Sequence, residues 1–148
     1  MGSQYQKKCL ALTSVIDFIF PEIFSMNRTM VAQGGICGAI AVILGAFGAH
    51  ALREYLNEEQ LRIFHTGVEY QFYHSLALIA VGIVYEKFQN RWIRYSGYGF
   101  FIGIILFSGS LYLLTAFSSL SYFGIITPIG GLCFIVGWCC LTIGVLKK

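Results

Sequence analysis

Charged residues divide the chain into three long apolar stretches. Residues 29–52, 70–85 and 95–146 contain no Asp, Glu, Lys or Arg. A helix that crosses a bilayer needs about 20 apolar residues, because roughly 30 Å of hydrocarbon is covered at about 1.5 Å per residue. The first stretch therefore predicts a membrane-spanning helix at about 31–51, and the second predicts a shorter span at about 66–86.

The third stretch is too long for a single span. Its 52 residues would make a helix of about 78 Å, which is more than two bilayer cores. The chain must therefore turn back within it, and residues that interrupt helices cluster near its middle. These residues are Ser118, Ser119, Ser121, Gly124 and Pro128. We expect spans at about 97–117 and 124–146, so the predicted fold class is an all-α integral membrane four-helix bundle.

The segment between the first two spans carries the signature of a helix N-terminus. Asn57 and Gln60 are spaced as a capping box, in which each side chain bonds to the backbone N–H of the other residue. Leu56, Ile63 and Phe64 fall on one face of the helix that follows. We expect a short interfacial helix here, lying on the membrane surface between spans one and two.

The chain is interpreted as an N-terminal extension, residues 1–28, followed by a four-span membrane domain, residues 29–148. Within the extension, residues 10–20 are apolar but too few to cross a bilayer, and they include Asp17 and end before Pro21. A signal peptide would need a small-residue cleavage site, which the residues after Pro21 do not supply. The extension is predicted to be interfacial or disordered, and a misplaced start codon is the alternative.

Composition supports a membrane protein. The chain is 57% hydrophobic and 11% charged, with a mean hydropathy of +0.71, whereas soluble domains average roughly 25% charged residues. A net charge of +3 without a basic run longer than two residues does not indicate a nucleic-acid partner. The five cysteines form no CxxC pair and are interpreted as packing residues, so neither a metal nor a cofactor is expected.

The Lys and Arg residues are divided unequally between the two sides of a four-span chain. Eight of the ten fall on one side, and only Arg53 and Arg62 fall on the other. The eight are Lys7, Lys8, Arg28, Lys87, Arg91, Arg94, Lys147 and Lys148. Because loops rich in Lys and Arg stay in the cytoplasm, we expect a cell inner membrane protein with both termini cytoplasmic.

Small residues recur every three or four positions along the predicted spans. Such residues let membrane helices approach closely, so they indicate helix contacts within the chain or with another copy. The candidate packing positions are Gly34, Gly38, Gly45 and Ala49 in span one, Gly99 and Gly103 in span three, and Gly130, Gly137 and Gly144 in span four. The expected partners are membrane lipid and a second copy or another membrane protein.

Polar side chains at membrane depth are the candidates for a functional role. His50 is near the end of span one, where it can simply reach water. His74 is deeper, and Tyr70 and Gln71 precede it by four and three residues, so they share its helical face and could satisfy its ring nitrogens. The functional alternative is a haem, quinone or ion site around these four residues. For haem, an offset in depth of about 10 Å between the two histidines counts against joint ligation.

Four ordered sequence blocks resemble those of a known family. They are residues 45–52 (GAFGAHAL), 70–78 (YQFYHSLAL), 107–112 (FSGSLY) and 124–131 (GIITPIGG), the last followed by Gly137 and Trp138. In these blocks the chain resembles the YgdD-like family of small uncharacterised membrane proteins, relatives of transmembrane protein 256. The resemblance implies a four-span inner-membrane protein and brings no established activity with it.

Motifs for catalysis are missing from the sequence. It shows no nucleophile triad, phosphate-binding loop or pair of catalytic carboxylates. We therefore expect a non-enzymatic structural or accessory membrane component that acts through its packing faces. The alternative is binding or transport of a small ligand around His50 and His74.

Overall fold

The computed structural model describes residues 27–117 and 124–147, and these are helical almost throughout, without a strand. Helix α1 is Arg28–His50, and a 3₁₀ turn, Leu52–Glu54, follows it. Helix α2 is Glu58–Phe88. Helix α3, Arg91–Ala116, consists of Arg91–Gly103, a π-helical turn at Ile104–Ser108, and Gly109–Ala116. Helix α4 is Ile126–Leu146. The expected all-helical fold is confirmed.

Asparagine side chains cap the N-termini of three of the four helices just described, α1, α2 and α3. Asn27 Oδ1 accepts from the Met30 N–H at the start of α1. At α2 the predicted capping box is present, with Asn57 Oδ1 accepting from the Gln60 N–H at 2.8 Å and Gln60 Oε1 accepting from the Asn57 N–H at 3.0 Å. Asn90 caps α3 and donates its Nδ2 to the carbonyl of Gly144 at 2.8 Å, so it also ties α3 to the end of α4.

Two details of the predicted elements need correction. The short interfacial helix is not a separate element, because α2 continues without a break from Glu58 to Phe88. Gly67 lies at the expected boundary and packs under Leu111 and Tyr112, and a single glycine costs a helix only about 1 kcal/mol relative to alanine. The third span begins at Arg91 rather than near residue 97, because Asn90 supplies the cap.

Within the described residues, three helices are long and apolar enough to cross a membrane: α1, α3 and α4. Helix α2 has 31 residues, about 46 Å, and carries charged residues near both ends. It lies against α1 along most of that helix, since Gly48 contacts Phe64 and Gly34 contacts Ser75 and Ile79. Helix α2 therefore covers the same depth as α1, antiparallel to it.

The helices pack in chain order, α1 on α2, α2 on α3 and α3 on α4. Leu78 and Val81 of α2 and Ile93 and Phe100 of α3 are fully buried and form the centre of the core. Helices α2 and α4 contact each other at few positions, so they form the two walls of a cleft whose floor is α3. The bundle is thus open along one side.

The structure places most of the candidate packing residues at helix contacts. In α4, Gly130 lies against the Phe107 backbone, Gly137 against Phe100 and Gly144 against Ile93. The remaining contacts are Gly99 with Cys133 and Gly137, Gly103 with Phe134, Gly34 and Gly38 with Ser75, and Gly45 with Val68, while Ala49 is half-buried. The small-residue stripe of α4 therefore packs on α3 of the same chain.

Of the residues expected to form the α3–α4 turn, Ser118, Ser119 and Ser121 lie outside the described ranges, whereas Pro128 is in the first turn of α4, where a missing N–H is tolerated.

Candidate functional site

His74 is buried in the wall of the cleft, with 6% of its surface exposed. Its Nδ1 lies 2.7 Å from the carbonyl oxygen of Tyr70, one helical turn earlier. A carbonyl only accepts, so Nδ1 carries the proton and Nε2 is an acceptor. The indole Nε1 of Trp138 donates to that Nε2 across 3.4 Å, at the long end of the hydrogen-bond range.

Aromatic rings surround the imidazole on the α4 side. The Phe134 ring is nearly parallel to it, at an interplanar angle of 10° and a centroid distance of 3.5 Å. Tyr70 stacks on Phe107 at 4.6 Å, and Trp138 meets Phe100 edge to face at 4.9 Å. These rings join α2, α3 and α4 into one aromatic cluster, which fixes the orientation of His74.

The cleft beside this cluster has a volume of about 720 Å³, within the range of small-molecule sites. Its lining residues are Tyr70, Tyr73 and His74 from α2, Phe107 from α3, and Pro128, Gly131, Leu132, Phe134, Ile135 and Trp138 from α4. Phe134 and Trp138 flank the middle of the 21-residue α4, so the polar atoms of His74 lie at mid-height of a helix that is long and apolar enough to cross a membrane.

Phe107 reaches the floor of the cleft from the π-helical turn of α3. The Gly109 N–H bonds to the carbonyl of Ile104, five residues earlier, so the turn holds one extra residue. Single π-helical turns of this kind are frequent at functional sites. Ser110, just beyond the turn, is 2.7 Å from the Thr127 hydroxyl of α4, which fixes the two helices beside the cleft.

Gln71 faces away from the cleft and joins three helices. Its Nε2 donates to the carbonyl of Cys37 in α1 at 2.8 Å, and its Oε1 accepts from the hydroxyl of Tyr112 in α3 at 2.9 Å. Of the two residues that could satisfy the ring nitrogens of His74, Tyr70 does so for Nδ1 through its backbone carbonyl, whereas Gln71 bonds elsewhere. Nε2 is satisfied by Trp138 instead, because the nearest partner across the cleft belongs to another helix.

Breaking the Gln71 network is expected to destabilise the bundle. Gln71→Leu leaves the half-buried Tyr112 without the partner of its hydroxyl, and Tyr112→Phe leaves the buried Gln71 amide oxygen without its own, each costing about 1–3 kcal/mol. The double variant removes both groups and should cost less than the sum. Thermal unfolding in detergent measures all three variants, and strictly additive losses would contradict the coupling.

The structure does not bring His50 into this site. His50 is exposed at the last residue of α1 and is not part of the cleft lining. Across the two described ranges, no three His, Cys, Asp or Glu side chains come together as a group that could hold a metal ion. The cleft therefore offers one histidine, one indole and two tyrosines as its polar groups.

Trp138 is the residue of the candidate site that the sequence prediction missed. It appeared only as part of a sequence block, since helical spacing relates residues of one helix and cannot pair residues 64 positions apart.

A second, smaller cavity of about 470 Å³ lies between α1 and α2 and is bordered by Gly45, Val68 and Glu69. Glu69 is thus exposed to a groove and not to the His74 cleft.

Comparison with known proteins gives a consistent family. Residues 44–131 match a family described as "Protein of unknown function (DUF423)". The chain is 39% identical to the UPF0382 membrane protein YwdK of Bacillus subtilis over 121 residues, 81% of this chain and 98% of that protein. It is 36% identical to the UPF0382 inner membrane protein YgdD of Escherichia coli K12, over 82% of this chain and 92% of YgdD.

A third relative is the UPF0382 membrane protein SSP2132 of Staphylococcus saprophyticus, 41% identical over 81% of this chain and 98% of that protein. No solved structure matches the chain. The matched family segment begins in the second half of α1 and extends into α4, so it includes every residue that lines the His74 cleft up to Gly131. The chain therefore belongs to the DUF423 family of membrane proteins, the expected YgdD-like family.

Proposed function

We propose that this membrane protein is a non-enzymatic accessory component of the inner membrane that binds a ring-containing, bilayer-soluble molecule in the His74 cleft. One observation carries the proposal. A buried imidazole acceptor lies at the wall of a cleft of about 720 Å³, at mid-height of α4, and its one hydrogen-bond partner among the described residues is the distant N–H of Trp138. A polar group at that depth is costly and is a functional candidate by default.

The lining defines the chemistry of the ligand. The aromatic rings favour a planar ring that can stack, and the aliphatic side chains of Leu132 and Ile135 favour an apolar tail. The Trp138 N–H can donate to a carbonyl oxygen and His74 Nε2 can accept from a hydroxyl, because their mutual bond is long enough to exchange. A quinone or quinol with an isoprenoid-like tail combines these features.

Haem is less well supported. His50 lies at an exposed helix end outside the cleft, so a second histidine ligand would have to come from elsewhere. The described lining also contains no carboxylate, thiol or cation that could act as a catalytic acid, base or nucleophile beside His74. This composition supports a binding role over an enzymatic one.

A structural role through contact with another copy is the second candidate. The small-residue stripe of α4 is already packed on α3, but α1 presents an exposed face with open space around Gly35. Oligomer formation remains a prediction, and light scattering of the detergent-solubilised protein measures it directly.

Thermal stability with two probes tests the proposal. Decylubiquinone has a ring with carbonyl oxygens, and decylbenzene has the same chain length without them, so only the former should stabilise the protein beyond the effect of added hydrocarbon. His74→Phe keeps a ring but removes the acceptor, and His50→Phe is the matched control. We expect His74→Phe to weaken the response about fivefold, as for one lost hydrogen bond, and His50→Phe to leave it unchanged.

Two outcomes would refute ligand binding at this site. One is equal stabilisation of the wild-type protein by decylubiquinone and decylbenzene. The other is an unchanged response in His74→Phe. If that variant does not fold, Trp138→Phe removes the donor on the other side of the same hydrogen bond and serves the same comparison.

A further inference from the structure

A group of cations and aromatic rings lies at the end of the bundle where α2 and α4 end and α3 begins. Lys147 Nζ is 4.9 Å from the centre of the Trp92 ring, and the Arg91 guanidinium carbon is 5.7 Å from the same centre. Arg94 donates to the Tyr85 hydroxyl at 2.9 Å. The termini of α3 and α4 are thus drawn together around one indole.

The geometry holds two positive charges near one ring, and the described residues supply neither of them with a counter-ion. Because both contact one ring, Arg91 and Lys147 are at most about 11 Å apart, the two ring distances taken end to end. Neither forms an ion pair within the part of the chain that the structure describes, where the ion pair shown is Arg62 with Glu59 at the opposite end. The Asn90 bond to the Gly144 carbonyl fixes the relative position of the two helix termini.

The position of this group constrains the kind of ligand that fits it. Trp92 follows the first residue of one membrane-spanning helix and Lys147 follows the last residue of another, so both belong to the headgroup region, where indoles and cations concentrate. Exposed apolar side chains adjoin them on the membrane side, namely Tyr95, Val145 and Leu146. A ligand here has its negative charge in the headgroup plane and its apolar part along these side chains.

We propose that Arg91, Trp92 and Lys147 form a binding site for the phosphate headgroup of an anionic glycerophospholipid, with the acyl chains lying along α3 and α4. The two cations neutralise the phosphate, and the Trp92 ring lies at the boundary between headgroup and acyl chain. This site uses none of the residues that line the His74 cleft. Its occupancy can therefore be tested without any assumption about the ligand of the cleft.

The test compares phosphatidylglycerol with phosphatidylcholine in mixed micelles that contain the full-length protein. Thermal unfolding measures stabilisation by each lipid, and native mass spectrometry measures how much lipid is retained. We expect phosphatidylglycerol to stabilise the wild-type protein more strongly than phosphatidylcholine does. The double variant Arg91→Gln/Lys147→Gln should bind phosphatidylglycerol about 25-fold more weakly, since each cation near an anionic membrane surface contributes roughly fivefold.

A control variant with the same change in charge separates a site from general attraction. Arg53→Gln/Arg62→Gln removes two cations at the other end of the bundle and should keep the full response to phosphatidylglycerol. The single variant Arg91→Lys preserves both positive charges, so it should also keep most of the response to phosphatidylglycerol. Lys147→Gln alone, at the end of α4, provides a single change if the double variant does not fold.

Three results would overturn the proposal. The first is an equal loss of lipid response in the two double variants, which would indicate attraction by net charge alone. The second is an equal response to both lipids in the wild-type protein. The third is stabilisation by inorganic phosphate as large as that by phosphatidylglycerol, which would indicate a site for the free anion.

Discussion

Replacing Gly130 by leucine is expected to disrupt the contact between α3 and α4. A Cβ atom at this position would overlap the backbone nitrogen and Cα of Phe107, which cannot rotate away as a side chain can. Overpacking of a close contact typically costs about 1–3 kcal/mol, and a clash with backbone belongs at or beyond the upper end. The thermal unfolding temperature in detergent should therefore fall sharply.

The neighbouring glycine supplies a matched control. A Cβ at Gly131 would lie 3.8 Å from the nearest Phe107 atoms, an ordinary contact distance, so Gly131→Leu should be far milder. Gly137→Leu should fall between the two, because the obstacle there is the Phe100 ring at 2.8 Å, and a ring can shift. Equal unfolding temperatures for Gly130→Leu and Gly131→Leu would show that α4 does not pack on α3 as described.

Reporter fusions are expected to give opposite signals at the two ends of the bundle. Among the described residues, Arg28, Lys87, Arg91, Arg94 and Lys147 lie at one end, whereas Arg53 and Arg62 lie at the other. The uneven distribution of these cations supports a cytoplasmic location for the first end. A reporter of cytoplasmic location fused after Lys148 should be active, and the same reporter inserted at Glu58 should be inactive.

Opposite signals require an odd number of crossings between Glu58 and Lys148. The four-span arrangement supplies three, because α2, α3 and α4 all cross. If the fusion after Lys148 reports from outside while the fusion at Glu58 also does so, one helix fails to cross. The four-span arrangement would then have to be replaced.

The membrane helices could be predicted from the sequence because one physical rule dominates them. Charges are excluded from hydrocarbon, so the charge-free stretches indicated α1, α3 and α4, and α2 was recognisable despite charged residues near its ends. The continuity of α2 was not predicted, since the pattern of one segment does not show whether it joins the next helix without a break. Gly67, at the join, packs against Leu111 and Tyr112, more than 40 residues away in the chain.

The candidate site was only half predictable for a similar reason. The cost of a buried polar group pointed to His74 from its position within a span. Its partner Trp138, the parallel ring of Phe134 and the π-helical turn that carries Phe107 depend on how α4 lies against α3. Spacing along one helix contains no information on that contact, so the cleft emerges only from the assembled fold.

The most direct test of ligand binding in the cleft uses tryptophan fluorescence. The chain has two tryptophans, so Trp92→Phe leaves only Trp138, which lies beside His74. Trp138→Phe leaves only Trp92, at the N-terminus of α3, and serves as the control. Decylubiquinone, a quencher at short range, is titrated into each variant in detergent. Saturable quenching of Trp138, moved to higher concentration by His74→Phe, with only linear quenching of Trp92, is the predicted result. Linear quenching of equal slope for both tryptophans would contradict a quinone site in the cleft.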